Sequence, residues 1–120
     1  MLMEFTTFAD DEYLSLTSFR NGGEPVTKRV RFAQVGGKLY VLSEADEAER
    51  IRRNAQVEVA PCTERGQALS RALEAMAVVA PDDQVARRAL RKKYGLRQRV
   101  REVMQALRGA RSVYLEVTPM

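Results

Sequence analysis

Residues 36–62 read GGKLYVLSEADEAERIRRNAQVEVAPC, and the reading of this stretch decides the architecture. Gly36-Gly37 fits a two-residue hairpin turn, because glycine adopts positive φ without steric cost. KLYVL then returns as a strand. Next, carboxylates crowd the start of a run and arginines crowd its end, the charge order that suits a helix dipole over roughly residues 45–53. Ser43 is expected to cap its first turn, with Asp46 answering three residues later. QVEVAPC, 56–62, then alternates, with Val57 and Val59 on one side, and reads as a further strand. A helix start that follows a strand is also where many proteins hold a phosphate. The question is whether this helix is only well capped or is a phosphate site whose grip has been replaced.

Upstream, EYLSLTSFR at 12–20 alternates as a strand, with Leu14 and Leu16 facing one way and Tyr13, Ser15, Thr17 and Phe19 the other. NGGE at 21–24 is a turn signal. PVTKRVRFAQV follows, placing Val26, Val30 and Phe32 on one face and Thr27, Arg29, Arg31 and Ala33 on the opposite one. Downstream, QALSRALEAMAVVA at 67–80 is ambiguous. Its Leu and Ala content favours helix, whereas Val78, Val79 and the preceding turn favour strand. Pro81-Asp82-Asp83 opens a helix whose Val85, Ala86, Ala89, Leu90 and Tyr94 share a face, and Gly95 ends it. A second amphipathic helix is expected to carry Leu96, Val100, Val103, Met104 and Leu107, stopping at Gly109. RSVYLEVTP then closes as a strand. Meandering strands, a helical pair and a last strand predict a small antiparallel barrel with helices packed on it.

At 120 residues, the chain is expected to form one domain, 1–120. No apolar run approaches the roughly 20 residues needed to span a bilayer, and MLMEFTTFADDEY lacks a basic leader region, so the expected compartment is the cytoplasm. Cys62 stands alone and histidine is absent. That excludes an internal disulfide, serine–histidine and cysteine–histidine nucleophile pairs, and multi-cysteine zinc sites. Net charge is +4, and the excess is local: between Arg87 and Arg111 lie ten Lys or Arg residues and one acid, Glu102. A solvated helical face accounts for that run more economically than a ligand contact. Nucleic acid is not an expected partner, since aromatic interleaving is poor and no recognition motif is present.

The chain as a whole resembles the split β-barrel flavin and deazaflavin oxidoreductases, the pyridoxamine-phosphate-oxidase-like group, and within it the branch linked to coenzyme F420. The resemblance is carried by YLSLTSFRNGGEPVTKRVRF as the opening hairpin and GGKLYVLSEAD as the third strand and its loop. RIRRNAQVEVAPCTERG matches the helix end and fourth strand, and RRALRKKYGLRQRV with YLEVTP the closing helices and strand. It implies a mainly β split barrel with two to three packed helices. It also implies that QALSRALEAMAVVA is mainly strand, against its propensity. It further implies a homodimer with F420 or FMN in a groove between subunits, and hydride transfer to an unsaturated small organic substrate.

By the same resemblance, Arg29, Val30 and Arg31 line the ring, Ser43, Arg50 and Arg53 lie near the phosphate end, and Lys28 is a further cofactor-binding residue. There the chain departs from the family pattern. Where small, hydroxylic and basic residues usually grip the phosphate, this sequence has Ala45, Asp46, Glu47 and Glu49, while Ser43 and Arg50 still match. Like charges about 4 Å apart repel by roughly 1 kcal/mol in water and roughly 4 kcal/mol near a protein surface. The rival expectation is therefore a barrel that has lost tight cofactor binding and serves as a small-ligand or protein-interaction module. Helix-dipole complementarity alone would also account for the acids. Arg29 and Arg31 stand where tryptophan or proline is common in the family, so they are either a solvated strand face or a relocated anion grip. Cys62 is expected to be a half-buried strand residue, and Tyr94 to cover the core.

Overall fold

In a computed structural model of the chain, Phe8, residues 11–95 and residues 112–120 are described. The strands are β1 (Tyr13–Phe19), β2 (Pro25–Val30), β3 (Phe32–Val35), β4 (Lys38–Glu44), β5 (Gln56–Cys62), β6 (Leu73–Val79) and β7 (Ser112–Pro119). Helix α1 (Ala45–Arg53) lies between β4 and β5, and α2 (Asp83–Tyr94) follows β6. The expected helix over 96–107 falls outside the described residues.

All seven strands form one antiparallel sheet in the order β2-β1-β5-β6-β7-β4-β3. The two edge strands are consecutive in the chain, separated by Arg31 alone. A single residue cannot cross a flat seven-stranded sheet, because neighbouring strands are ~4.8 Å apart. The sheet therefore curls until its edges meet, and the Leu42 N–H to Arg31 carbonyl bond of 3.3 Å ties the seam. This is a split barrel.

Alternation fills the inside. Leu14, Leu16, Phe32, Leu39, Val41, Val57, Val59, Leu115 and Val117 are wholly buried. Helix α1 adds Ala48 and Ile51 to the same core and packs against β1, β4, β6 and β7. Helix α2 lies outside, laying Ala86, Leu90 and Tyr94 on Ala33, Tyr40, Leu42 and Tyr114.

Strand β6 settles the ambiguous stretch. Ala75 and Ala77 point inward and are buried, while Glu74, Met76 and Val78 point outward. Its backbone is paired on both sides, with β5 and β7, and those ladders outweigh the helix propensity of Leu and Ala. The hairpin at Gly36-Gly37 forms as expected, with φ of 60° at Gly36. The expected cap on α1 does not form. Ser43 does not cap α1: it lies in the β4 ladder opposite Val113, and the N-cap position is Glu44, which makes no side-chain capping bond.

Candidate functional site

The seam where β2 passes into β3 opens into a pocket of about 90 Å³. Lys28, Arg29, Val30 and Arg31 form one wall; Leu42, Ser43, Glu44 and Glu47 form the other, with Tyr13 beside them. Five of the seven residues expected at a cofactor are thus brought together. Arg50 and Arg53 are not. They flank a separate cleft with Phe19, Arg20, Asn21 and Gly22 at the β1–β2 turn.

Each cation of the first wall has a different setting. Lys28 Nζ lies 3.2 Å from Asp46 Oδ2. The Arg29 guanidinium stacks 4.6 Å from the centre of the Tyr13 ring and donates to the Glu64 carbonyl. Arg31 lies 5.2 Å from the Tyr94 ring centre, and its Nη1 is buried with no hydrogen-bond partner in the protein. A buried guanidinium nitrogen without an acceptor is costly, so this corner favours an acceptor from outside the chain.

The opposite wall answers the sequence question. Asp46, Glu47 and Glu49 do three different things. Glu49 faces outward and pairs with Arg52 and Arg53, at 3.2 and 3.9 Å. Asp46 sits between Lys28 and Arg50, the latter at 3.5 Å. Partial burial pushes its carboxyl up, but Lys28, the Glu47 amide and Arg50 together outweigh that and hold it below its usual range. Glu47 turns inward and is only 1% exposed. Its Oε1 lies 2.5 Å from the Ser43 hydroxyl, and its Oε2 has no partner. Burial pushes its carboxyl above the usual range; the Ser43 hydroxyl and the charges of Lys28 and Arg50 offset part of that, while Asp46 adds to it.

The acids therefore do not form an uncompensated repulsive cluster. One is solvated, one is neutralised from two sides, and one is buried against a serine. Sequence reasoning put Glu47 at the phosphate subsite or in the helix dipole, not in the buried face. A signal existed: Glu47, Ala48 and Ile51 share a helical stripe, which puts Glu47 on the face that α1 buries. Tyr13, Leu42 and Glu44 were also missed, since their place depends on how the sheet closes.

Arg50 Nε donates to the Ser18 hydroxyl at 2.9 Å, and its Nη2 is buried without a partner. Asp46 thus bridges the pocket and the second cleft, with Lys28 on one side and Arg50 on the other. Cys62 is fully buried rather than half-buried, and burial pushes its thiol up, away from reactivity, against a smaller pull from Arg29. Tyr94 covers the core as expected. Its hydroxyl lies 2.6 Å from the Glu12 carbonyl and accepts from the Phe32 N–H at 3.1 Å. Among the described residues no helix is long and apolar enough to cross a membrane.

The fold is that of the pyridoxamine-phosphate-oxidase-like split barrels. HutZ, the heme storage protein from Vibrio cholerae, has a TM-score of 0.70 at 17% identity, covering 98% of this chain and 92% of HutZ. An F420 reductase matches at 0.61 and 18% identity over 100% of this chain and 95% of its own. A pyridoxamine 5'-phosphate oxidase-related, FMN-binding protein from Nostoc punctiforme matches at 0.52 and 15% identity, over 95% and 72%. No family model and no curated protein sequence matches the chain.

Proposed function

We propose that this protein binds a flavin-type cofactor, FMN or the deazaflavin F420, at the barrel seam and acts as an oxidoreductase on an unsaturated small organic substrate. The observation that carries the reading is the convergence of Lys28, Arg29, Arg31 and Ser43 on one pocket, with Arg31 Nη1 buried and lacking an acceptor. Neighbouring folds that bind FMN or act as an F420 reductase point the same way. A heme ligand fits this chain less well, because the chain has no histidine to hold the iron.

When bound, the cofactor supplies the hydride chemistry, and the chain supplies placement and charge. Arg31 and Lys28 orient an anionic edge, and the apolar Val30 and Leu42 exclude water beside it. The pocket, at about 90 Å³, is small beside the roughly 300–1,000 Å³ of typical ligand pockets. It therefore grips one end of the cofactor, and the remainder lies against a second copy of the chain in a homodimer. Met76 and Val78, 40% and 50% exposed on the outer face of the sheet, offer apolar surface for such pairing.

Titration with FMN and with F420, followed by fluorescence polarisation, tests the reading. Saturable micromolar binding is expected, weakened about ten- to a hundredfold by Arg31→Ala, the usual worth of a charge-assisted bond. Absence of binding by both would favour a second reading, a barrel that serves as a small-ligand or protein-interaction module. That reading draws on Glu44 and Glu47, two carboxyls in the wall where an anion would sit.

A further inference from the structure

Glu47 has three features that a structural acid does not need. It is buried to 1% exposure, it lines the pocket, and one of its oxygens is unpartnered. Its neighbour Ser43 has one hydroxyl proton but two acceptors within reach, Glu47 Oε1 at 2.5 Å and the Glu44 carbonyl at 3.3 Å. With Glu47 ionised, the single proton serves only one of them, and Oε2 is left as a buried, unsatisfied share of a negative charge. With Glu47 protonated, a relay completes itself. The carboxylic acid donates to Ser43 Oγ, the hydroxyl donates to the Glu44 carbonyl, and Oε2 is left as a neutral carbonyl oxygen, a much cheaper orphan.

We propose that Glu47 is a proton-operated gate on the pocket: as the neutral acid it lets Lys28, Arg29 and Arg31 hold a compact oxyanion, and as the carboxylate it expels that anion. This rests on the anion-binding part of the proposed function and adds its regulation. The groups facing Glu47 fit the assignment. From β2 and the seam come Lys28, Arg29 and Arg31; from β4, Ser43 and Glu44; from α1, Asp46 and Arg50; from β1, the Tyr13 ring. Against the upward push of partial burial, Asp46 is held below its usual range, chiefly by Lys28, and keeps its charge where Glu47 titrates. Burial, the largest influence on Glu47, raises its titration above the ordinary glutamate range, so an anion in the pocket and a proton on Glu47 are taken up together.

Sulfate is the suitable probe, because its charge is constant over this range. Calorimetric titration of the whole chain is expected to show sulfate affinity falling by about tenfold or more as the pH rises from 5 to 9, on the scale of a like charge at contact distance. Glu47→Gln should bind sulfate with near pH-independent affinity, at least as tight as the wild type at pH 5. Glu49→Gln, on the outward face of the same helix and outside the pocket, should keep the wild-type profile. Carbon-13 NMR of the glutamate carboxyls gives a readout independent of any ligand: one signal, absent in Glu47→Gln, should titrate above the others. The proposal is overturned if sulfate affinity has the same pH profile in wild type and Glu47→Gln, or if sulfate does not bind at any pH. It is equally overturned if the Glu47 signal titrates within or below the ordinary carboxylate range. FMN or F420 binding that persists alongside a flat sulfate profile would sink the gate and leave the cofactor reading standing.

Discussion

The two helices look alike in sequence and differ in what their acids do. Helix α2 uses its acid for itself: the Asp82 side chain accepts from the Gln84 N–H at 2.9 Å, and the helix stops at Gly95, with φ of 63°. Helix α1 has no side-chain cap, although acids crowd its first turn. Asp46 is spent on Lys28 and Arg50, and Glu47 on Ser43 and the pocket. An acid at a helix start is thus either a local stabiliser or a tertiary contact, and only the turn that feeds the helix decides which. Strand β4 runs straight through Ser43 into α1 and keeps the serine in the ladder, whereas Pro81 and Asp82 leave the sheet before α2 begins.

The sharpest way to break the contrast is to empty what each helix buries. Ile51→Ala should cost about 2–5 kcal/mol in denaturant unfolding, because α1 plugs the wholly closed core. Leu90→Ala on α2 should fall at the lower end of that range, since the outer layer can settle. A larger loss at Leu90 than at Ile51 would reverse the ranking of the two helices. Tyr94→Phe should cost about 1–3 kcal/mol, because the Phe32 N–H and the Glu12 carbonyl lose their shared hydroxyl. Burial pushes that hydroxyl's pKa up to about 12, so ultraviolet titration should show a tyrosine ionisation near that value that disappears in Tyr94→Phe.

Capping gives a smaller and cleaner contrast. Asp82→Ala should cost about 0.5–2 kcal/mol, while Glu44→Ala, at a position that makes no capping bond, should cost close to nothing. Equal losses would mean that α1 has a cap after all.

The pH dependence of stability separates the two acids of α1 by sign. Glu47 holds its proton more tightly folded than unfolded. Its contribution is complete below the ordinary glutamate range and is lost as the pH rises through its raised value. Asp46 is the reverse, complete above the ordinary aspartate range and lost as the pH falls through its lowered value. Glu47→Gln should therefore gain stability relative to wild type on going from acid to neutral pH, and Asp46→Asn should lose it. Urea unfolding at several pH values measures both, and parallel curves for the two variants would refute the assignment. A small effect is expected on the exposed face of α2, where Asp83→Ala removes a 3.2 Å pair with Arg87 and should cost no more than about 0.5 kcal/mol.

Most of the sheet was legible because strands such as β1 alternate and the hairpin turns carry glycines. Leu14 and Leu16 against Ser15 and Thr17, or Leu39 and Val41 before the α1 charges, specify both the face and the register. Strand β6 was not legible from its own residues. Its inward positions are Ala75 and Ala77, small because the core beside them is filled by Leu115, Val117 and Val57, and that requirement is set by residues far away in sequence. The site was legible in part. The basic run Lys28–Arg31 announced one wall. What the sequence concealed was that the seam brings this run against Ser43 and Glu47, and that Arg50 turns away toward Ser18.

The one-residue passage between β2 and β3 has a further effect, on how the molecule meets its neighbours in a crowded solution. Exposed strand edges are where foreign chains add on and fibres begin. Here the two edges are drawn together at Arg31. What they still present is a four-residue strand on one side and, on the other, a strand that starts at Pro25 and carries Lys28 and Arg29. Proline offers no N–H and like-charged strands repel, so the same residues that shape the seam also guard the sheet against templating its own aggregation.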